Sequence, residues 1–156
     1  MGYRVWVPRS DRHRVLDCLS SELHEGFLDR LPLNYDEATV KTIEQIDVIW
    51  MRGRAIARAF EVEHTTAIYS GLLRMADLVA LQPDIAIKLH IVAPDERRDK
   101  VLSEIRRPVF SLLDSGPLSE KCTFIAYDAV NRLADEKNLR YMKDAILQEL
   151  EEFAVD

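Results

Sequence analysis

The stretch from Ile43 to Glu63 constrains the fold most. Two runs rich in β-branched and aromatic residues, 43–51 and 57–63, flank Arg52-Gly53-Arg54. A glycine between such runs is a turn signal, so the stretch reads as a β-hairpin. Side chains alternate faces along a strand. Gln45, Asp47 and Ile49 therefore share one face, and Ile46, Val48 and Trp50 the other. On the second strand Glu61 and Glu63 share a face opposite to Phe60 and Val62. A loop over residues 52–56 sets residue 51 opposite 57 and, by the same register, 47 opposite 61. Three carboxylates then crowd one face of one strand pair. Like charges at that range repel and raise each other's pKa. A divalent cation cancels the repulsion, and carboxylates with water are the ligands Mg²⁺ prefers. The simpler alternative is an exposed strand face carrying solvated acids.

The remaining elements give the hairpin its setting. Residues 3–8 read as a short strand. Ser10 caps a helix expected to reach Glu25, where Gly26 stops it. Residues 28–41 read as a loop. Thr65 or Thr66 caps a helix running to Leu81 and ended by Pro83, and 85–93 is an apolar strand closed by Pro94. A helix capped by Asp95 must end before Pro108. Residues 122–127 form a further strand, Asp128 starts a short helix, and 139–153 is a final amphipathic helix. This order predicts an α/β fold, a mixed central sheet flanked by helices. The chain reads as one domain over 1–156, able to serve as one domain of a larger protein.

With 156 residues, 47% apolar and 31% charged, the chain can bury a real core. No apolar run approaches a membrane span, and the N-terminus lacks the core of a signal peptide. Cys18 and Cys122 have no metal-ligand spacing and read as reduced thiols, so a cytoplasmic location is expected. The net charge of −6 argues against a nucleic-acid binder that relies on bulk positive charge. Basic clusters at Arg52, Arg54 and Arg58 and from Arg97 to Arg107 still permit a basic surface.

Gln45-Ile46-Asp47-Val48-Ile49-Trp50 followed by Phe60-Glu61-Val62-Glu63-His64-Thr65-Thr66 resembles the PD-(D/E)xK, or restriction-endonuclease-like, nuclease superfamily. The order of elements is similar too. The stretch from Asp36 to Phe110, with Ile68 to Asp77 and Ile91 to Arg98, resembles uncharacterised bacterial proteins of that type. The resemblance implies a restriction-endonuclease-like core and a metal-dependent DNA endonuclease, with DNA as partner and Mg²⁺ as cofactor (Mn²⁺ as substitute). It implies that Asp47, Glu61 and the Val62 carbonyl hold the metal, with Glu22 on the first helix as a further ligand. Glu63 stands where the family carries lysine, an ExE variant. A glutamate can orient the attacking water or take its proton, but supplies no positive charge. Arg74 and Lys88 are the cations expected to stand in. Because cutting both strands needs two sites, a homodimer is one expected arrangement, with the last helix as one candidate interface.

At about 100° per residue, Thr66, Ser70, Arg74 and Asp77 fall on one polar stripe of the helix that follows. Thr66, Ser70 and Arg74 are the expected phosphate contacts, near amides that favour an anion; an ordinary solvent face is the alternative. His64 follows the acids directly and reads as a surface or orienting histidine. The alternative to an enzyme is a catalytically inactive module on the same fold, binding nucleic acid or a protein partner. No glycine-rich phosphate loop follows any strand.

Overall fold

The expected hairpin lies inside a six-stranded mixed sheet in the computed structural model, which describes residues 1–64, 68–81, 86–137 and 139–155. Strands β1 (Arg4–Trp6), β2 (Val48–Arg52), β3 (Ala55–Val62), β4 (Lys88–Ala93), β5 (Cys122–Ala126) and β6 (Glu152–Phe153) follow one another across the sheet in chain order. The pairs β1–β2, β2–β3 and β5–β6 are antiparallel, whereas β3–β4 and β4–β5 are parallel. Parallel neighbours need crossovers. Helix α4 (Ile68–Leu81) lies in the first, and α5 (Arg98–Ile105) and α6 (Pro108–Ser111) lie in the second. One core joins these helices to the sheet, bringing Leu72, Met75, Val101 and Ile105 together with Ile49, Ala59, Ile91 and Phe124. The other sheet face carries Phe60, Val92 and Ile125, covered by Val130 and Leu133 of α7 (Tyr127–Ala134) and by Leu147. The α/β architecture read from the sequence is therefore the one found. Among the described residues no helix is long and apolar enough to cross a membrane.

The hairpin register has two departures that cancel. The turn is tighter than expected, because Arg52 pairs with Ala55 and Met51 with Ile56. Gly53 takes φ +61°, the left-handed value that a two-residue hairpin turn requires. An irregularity between Trp50 and Met51 then inserts Ala57, so that Trp50 faces Arg58 and Val48 faces Phe60. Continued one step, this register sets residue 47 against 61, as the sequence predicts.

Three elements differ from expectation. The expected loop at 28–41 and the start of the expected strand contain α3 (Glu37–Ile43). Asp36 caps it, accepting from the Thr39 amide at 3.0 Å and the Thr39 hydroxyl at 2.6 Å. Asp47 consequently sits immediately before β2. The first long helix breaks into α1 (Arg9–Asp17) and α2 (Ser21–His24), with Ser20 extended between them. His24 Nε2 folds back to the carbonyls of Leu16 and Leu19, at 3.0 and 3.2 Å. The last expected helix is absent: 144–149 forms 3₁₀ turns and 152–153 joins the sheet as β6. A dimer interface built on that helix is thereby removed.

The C-terminal segment is held by a buried charge array on the sheet face away from α4. Arg58, 1% exposed, donates to Glu151 Oε1 at 2.7 Å and reaches Asp144 Oδ2 at 3.4 Å. Its Nη1 also lies 2.9 Å from His90 Nε2. That donor makes Nε2 the acceptor, so Nδ1 carries the proton and donates to Thr123 Oγ1 at 2.7 Å. Burial, with the Arg58 charge beside it, holds His90 down to about 3, a neutral imidazole at ordinary pH. These non-local ion pairs override the local helical pattern of 139–153.

Candidate active site

Helix α4 crosses the C-terminal end of β3 at very short range, and Gly71 makes this approach possible. A Cβ at residue 71 would stand 2.6 Å from Glu63 Oε1 and 3.3 Å from Glu61 Cβ. One turn further on, Arg74 reaches back to the strand. Its Nε donates to Glu61 Oε1 at 2.7 Å and its Nη2 to Glu61 Oε2 at 2.6 Å, a two-pronged guanidinium–carboxylate pair. Glu61 has no exposed surface, whereas the Arg74 side chain is 31% exposed. The arginine thus links a buried acid to the surface.

Asp47 closes the same group from the β2 side. Its Oδ2 accepts from the Val62 amide at 2.8 Å, past Val48 and Phe60, the last paired residues of β2 and β3. Glu63, 5% exposed, is anchored through its amide, which donates to the Val92 carbonyl at 2.8 Å. Hydrogen bonding to Glu61 and the charges of Glu61, Asp47 and Glu63 all act to keep Arg74 protonated. Glu61 is pushed up to about 8, chiefly by burial; Arg74 opposes the rise and the charge of neighbouring Asp47 adds to it. Burial, more than neighbouring charge, therefore favours the protonated form of Glu61.

Tyr127 is a neighbour of the acids that no local motif announces. It opens α7 at the end of β5 and feels the charges of both Glu63 and Asp47. His64 stacks on it with ring centroids 5.8 Å apart, and its Nδ1 lies 3.3 Å from the Tyr127 hydroxyl. The available signal was topological: parallel strands align their C-terminal ends, so residues following β3 and β5 meet at one edge.

The other expected site residues fall in different places. Ser70 is half-buried on α4, between Gly71 and the start of the helix. Thr66, with the expected cap residues, lies outside the described residues. Lys88 pairs with Arg58 at the opposite end of β4, and the register puts it on the face away from Glu61, so it does not join the acids. Strand pairing without a turn leaves such a register unreadable from sequence. Glu22 is exposed on the short helix α2.

The donors suit a hard divalent cation in kind: carboxylate oxygens and the nearby Val62 backbone. Among the described residues, no three His, Cys, Asp or Glu side chains stand ready to coordinate one as they lie. Arg74 occupies both Glu61 oxygens, acting as the group's resident cation. Gly71→Ala should leave the protein folded with a loss of about 1–2 kcal/mol, because the added methyl overlaps only the tip of Glu63 and presses the Glu61 Cβ by a few tenths of an ångström. It should displace Glu63 and lower any activity of the site by more than that loss of stability explains. Urea unfolding beside a rate measurement separates the two effects.

The family described as the C-terminal domain of the type II restriction enzyme NmeDI matches residues 1–154. The type II restriction enzyme NmeDI of Neisseria meningitidis serogroup C is 36% identical over 141 residues, covering 85% of this chain and 38% of that protein. The chain thus spans well under half the length of that relative. No solved structure matches.

Proposed function

The chain belongs to the family of type II restriction enzyme NmeDI C-terminal domains, and on that premise we propose that it hydrolyses DNA phosphodiester bonds at the Asp47–Glu61–Glu63–Arg74 group, as a PD-(D/E)xK-type site of the ExE variety. The observation that carries this reading is the buried Glu61 gripped by Arg74 beside Asp47, on the face where α4 approaches through Gly71. A structural ion pair needs neither the second and third acids nor the glycine.

In this reading Asp47, Glu61 and the Val62 carbonyl hold Mg²⁺, for which Mn²⁺ can substitute. When bound, such an ion lowers the pKa of a water and offsets charge on a phosphoryl oxygen. Glu63 accepts the proton of the attacking water through its carboxylate. Arg74, the cation of α4, supplies the positive charge that a motif lysine would bring and contacts the phosphate. Ser70 stands on the same helical stripe, placed to donate to a phosphate oxygen. The site would act on DNA in the cytoplasm, and two copies would serve both strands.

Incubation of supercoiled plasmid with the chain, in Mg²⁺ or Mn²⁺ and again in excess chelator, tests the activity. Nicked or linear product that disappears with chelator is expected. One observation favours a second reading, a nuclease-fold module without catalysis: both Glu61 oxygens are already engaged by Arg74. That module would retain labelled DNA in an anisotropy titration while leaving plasmid intact in either metal.

A further inference from the structure

We propose that Arg74 and a divalent cation compete for Glu61, so that entry of the metal frees the guanidinium and turns it outward to meet a phosphate. The inference rests on reading the acids as metal donors, and adds a defined movement to it.

The geometry carries the argument. Both oxygens of Glu61 accept N–H groups of one guanidinium, at 2.7 and 2.6 Å. Glu61 has no exposed surface of its own, and its partner is the partly exposed member of the pair. A cation that binds the Glu61 oxygens therefore has to displace the Arg74 N–H groups already on them. A guanidinium fork and a metal ion both draw on the oxygen lone pairs of the carboxylate, and two cations at one oxygen repel. The exchange is favourable in charge, because a dication replaces a monocation amid three acids that all act on Arg74. The released side chain stays tethered on α4 beside Ser70. Arg74 would then hold the acids before metal arrives and position the phosphate afterwards. It is a positioning residue toward the metal as well as a contact for the substrate.

Two measurements on the full chain test this without relying on cleavage. In the first, Ca²⁺ and Mn²⁺ binding is followed by calorimetry for the wild type, Arg74→Gln and Arg74→Lys, each checked for native circular dichroism. The competition model expects at least about tenfold tighter binding in Arg74→Gln, a smaller gain in Arg74→Lys, and loss of binding in Asp47→Asn. Equal or weaker binding in both Arg74 variants, with the wild type still binding, overturns the competition and leaves the metal site standing. No binding by any form overturns the competition together with the metal reading. The second measurement needs no Arg74 variant with native structure. The Arg74 Nε–H resonance of the wild type, assigned through its loss in Arg74→Lys, should shift and exchange faster with solvent on Ca²⁺ addition. A resonance unmoved at saturating Ca²⁺ overturns the proposal.

Discussion

Glu61→Gln should stabilise the folded protein increasingly as the pH rises, by an amount on the order of 5 kcal/mol once the pH exceeds 8. In the fold the Glu61 carboxyl is pushed from 4.5 up to about 8, first by burial and then by the charge of Asp47. A group whose folded pKa lies above its unfolded value binds more protons in the native state. Its stabilising contribution is therefore complete below pH 4.5 and disappears as the pH rises through 8. Glutamine keeps the shape, still accepts one of the two Arg74 N–H groups, and has no proton to lose. The difference in unfolding free energy between variant and wild type should be near zero at about pH 4 and should grow in favour of the variant up to about pH 9. His90 shifts in the opposite sense, from 6.5 down to about 3, so its contribution is present above 6.5 and fades as the pH falls. It is common to both proteins and drops out of the difference. Parallel stability profiles in urea across this range would contradict a buried, charge-starved Glu61. A substitution that strengthens a fold while removing a carboxylate marks a residue kept at a cost in stability.

Arg58→Ala should have the opposite effect, a loss of about 3–5 kcal/mol. It leaves Glu151, whose side chain is 7% exposed, without the guanidinium that it meets at 2.7 Å, and removes the donor facing His90 Nε2. Segment 144–153, held to the sheet by this array and by the short pairing of β6 with β5, should lose amide protection before the rest of the chain. The double change Arg58→Met with Glu151→Met removes both charges together and should recover much of the loss. Arg58 lies on the sheet face away from Glu61, so Arg58→Ala should keep the activity of the acid group at temperatures where it remains folded. Urea unfolding of Arg58→Met, Glu151→Met and the double variant, beside the wild type, forms the cycle that checks this. Additive losses would mean that the pair is not coupled.

These two residues also show what was legible in the sequence. The shared face of Asp47 and Glu61 followed from strand alternation and one turn signal. It survived because the tighter turn and the inserted Ala57 offset one another. Arg74 was readable from helical phase, since the polar stripe of α4 starts beside the acids. Gly71 was not, because a glycine inside a helix says nothing about which strand comes close. Lys88 failed because parallel pairing between β3 and β4 has no local turn to fix its register. The carboxylate partners of Arg58 lie 86 and 93 residues away, so no window of sequence displays them. The same contacts turned an amphipathic stretch at 139–153 into 3₁₀ turns and an edge strand. Tyr127 required knowing that β3 and β5 run parallel on either side of β4.

In the proposed function, the Asp47–Glu61–Glu63–Arg74 group breaks the phosphodiester bond. Single-turnover cleavage of an end-labelled DNA duplex in Mg²⁺, by the wild type and by Asp47→Ala and Glu61→Ala side by side, tests it most directly. The expected result is metal-dependent product from the wild type and a fall of roughly 10³-fold or more in both variants, each folded by circular dichroism. Cleavage that persists at the wild-type rate in both variants would contradict it.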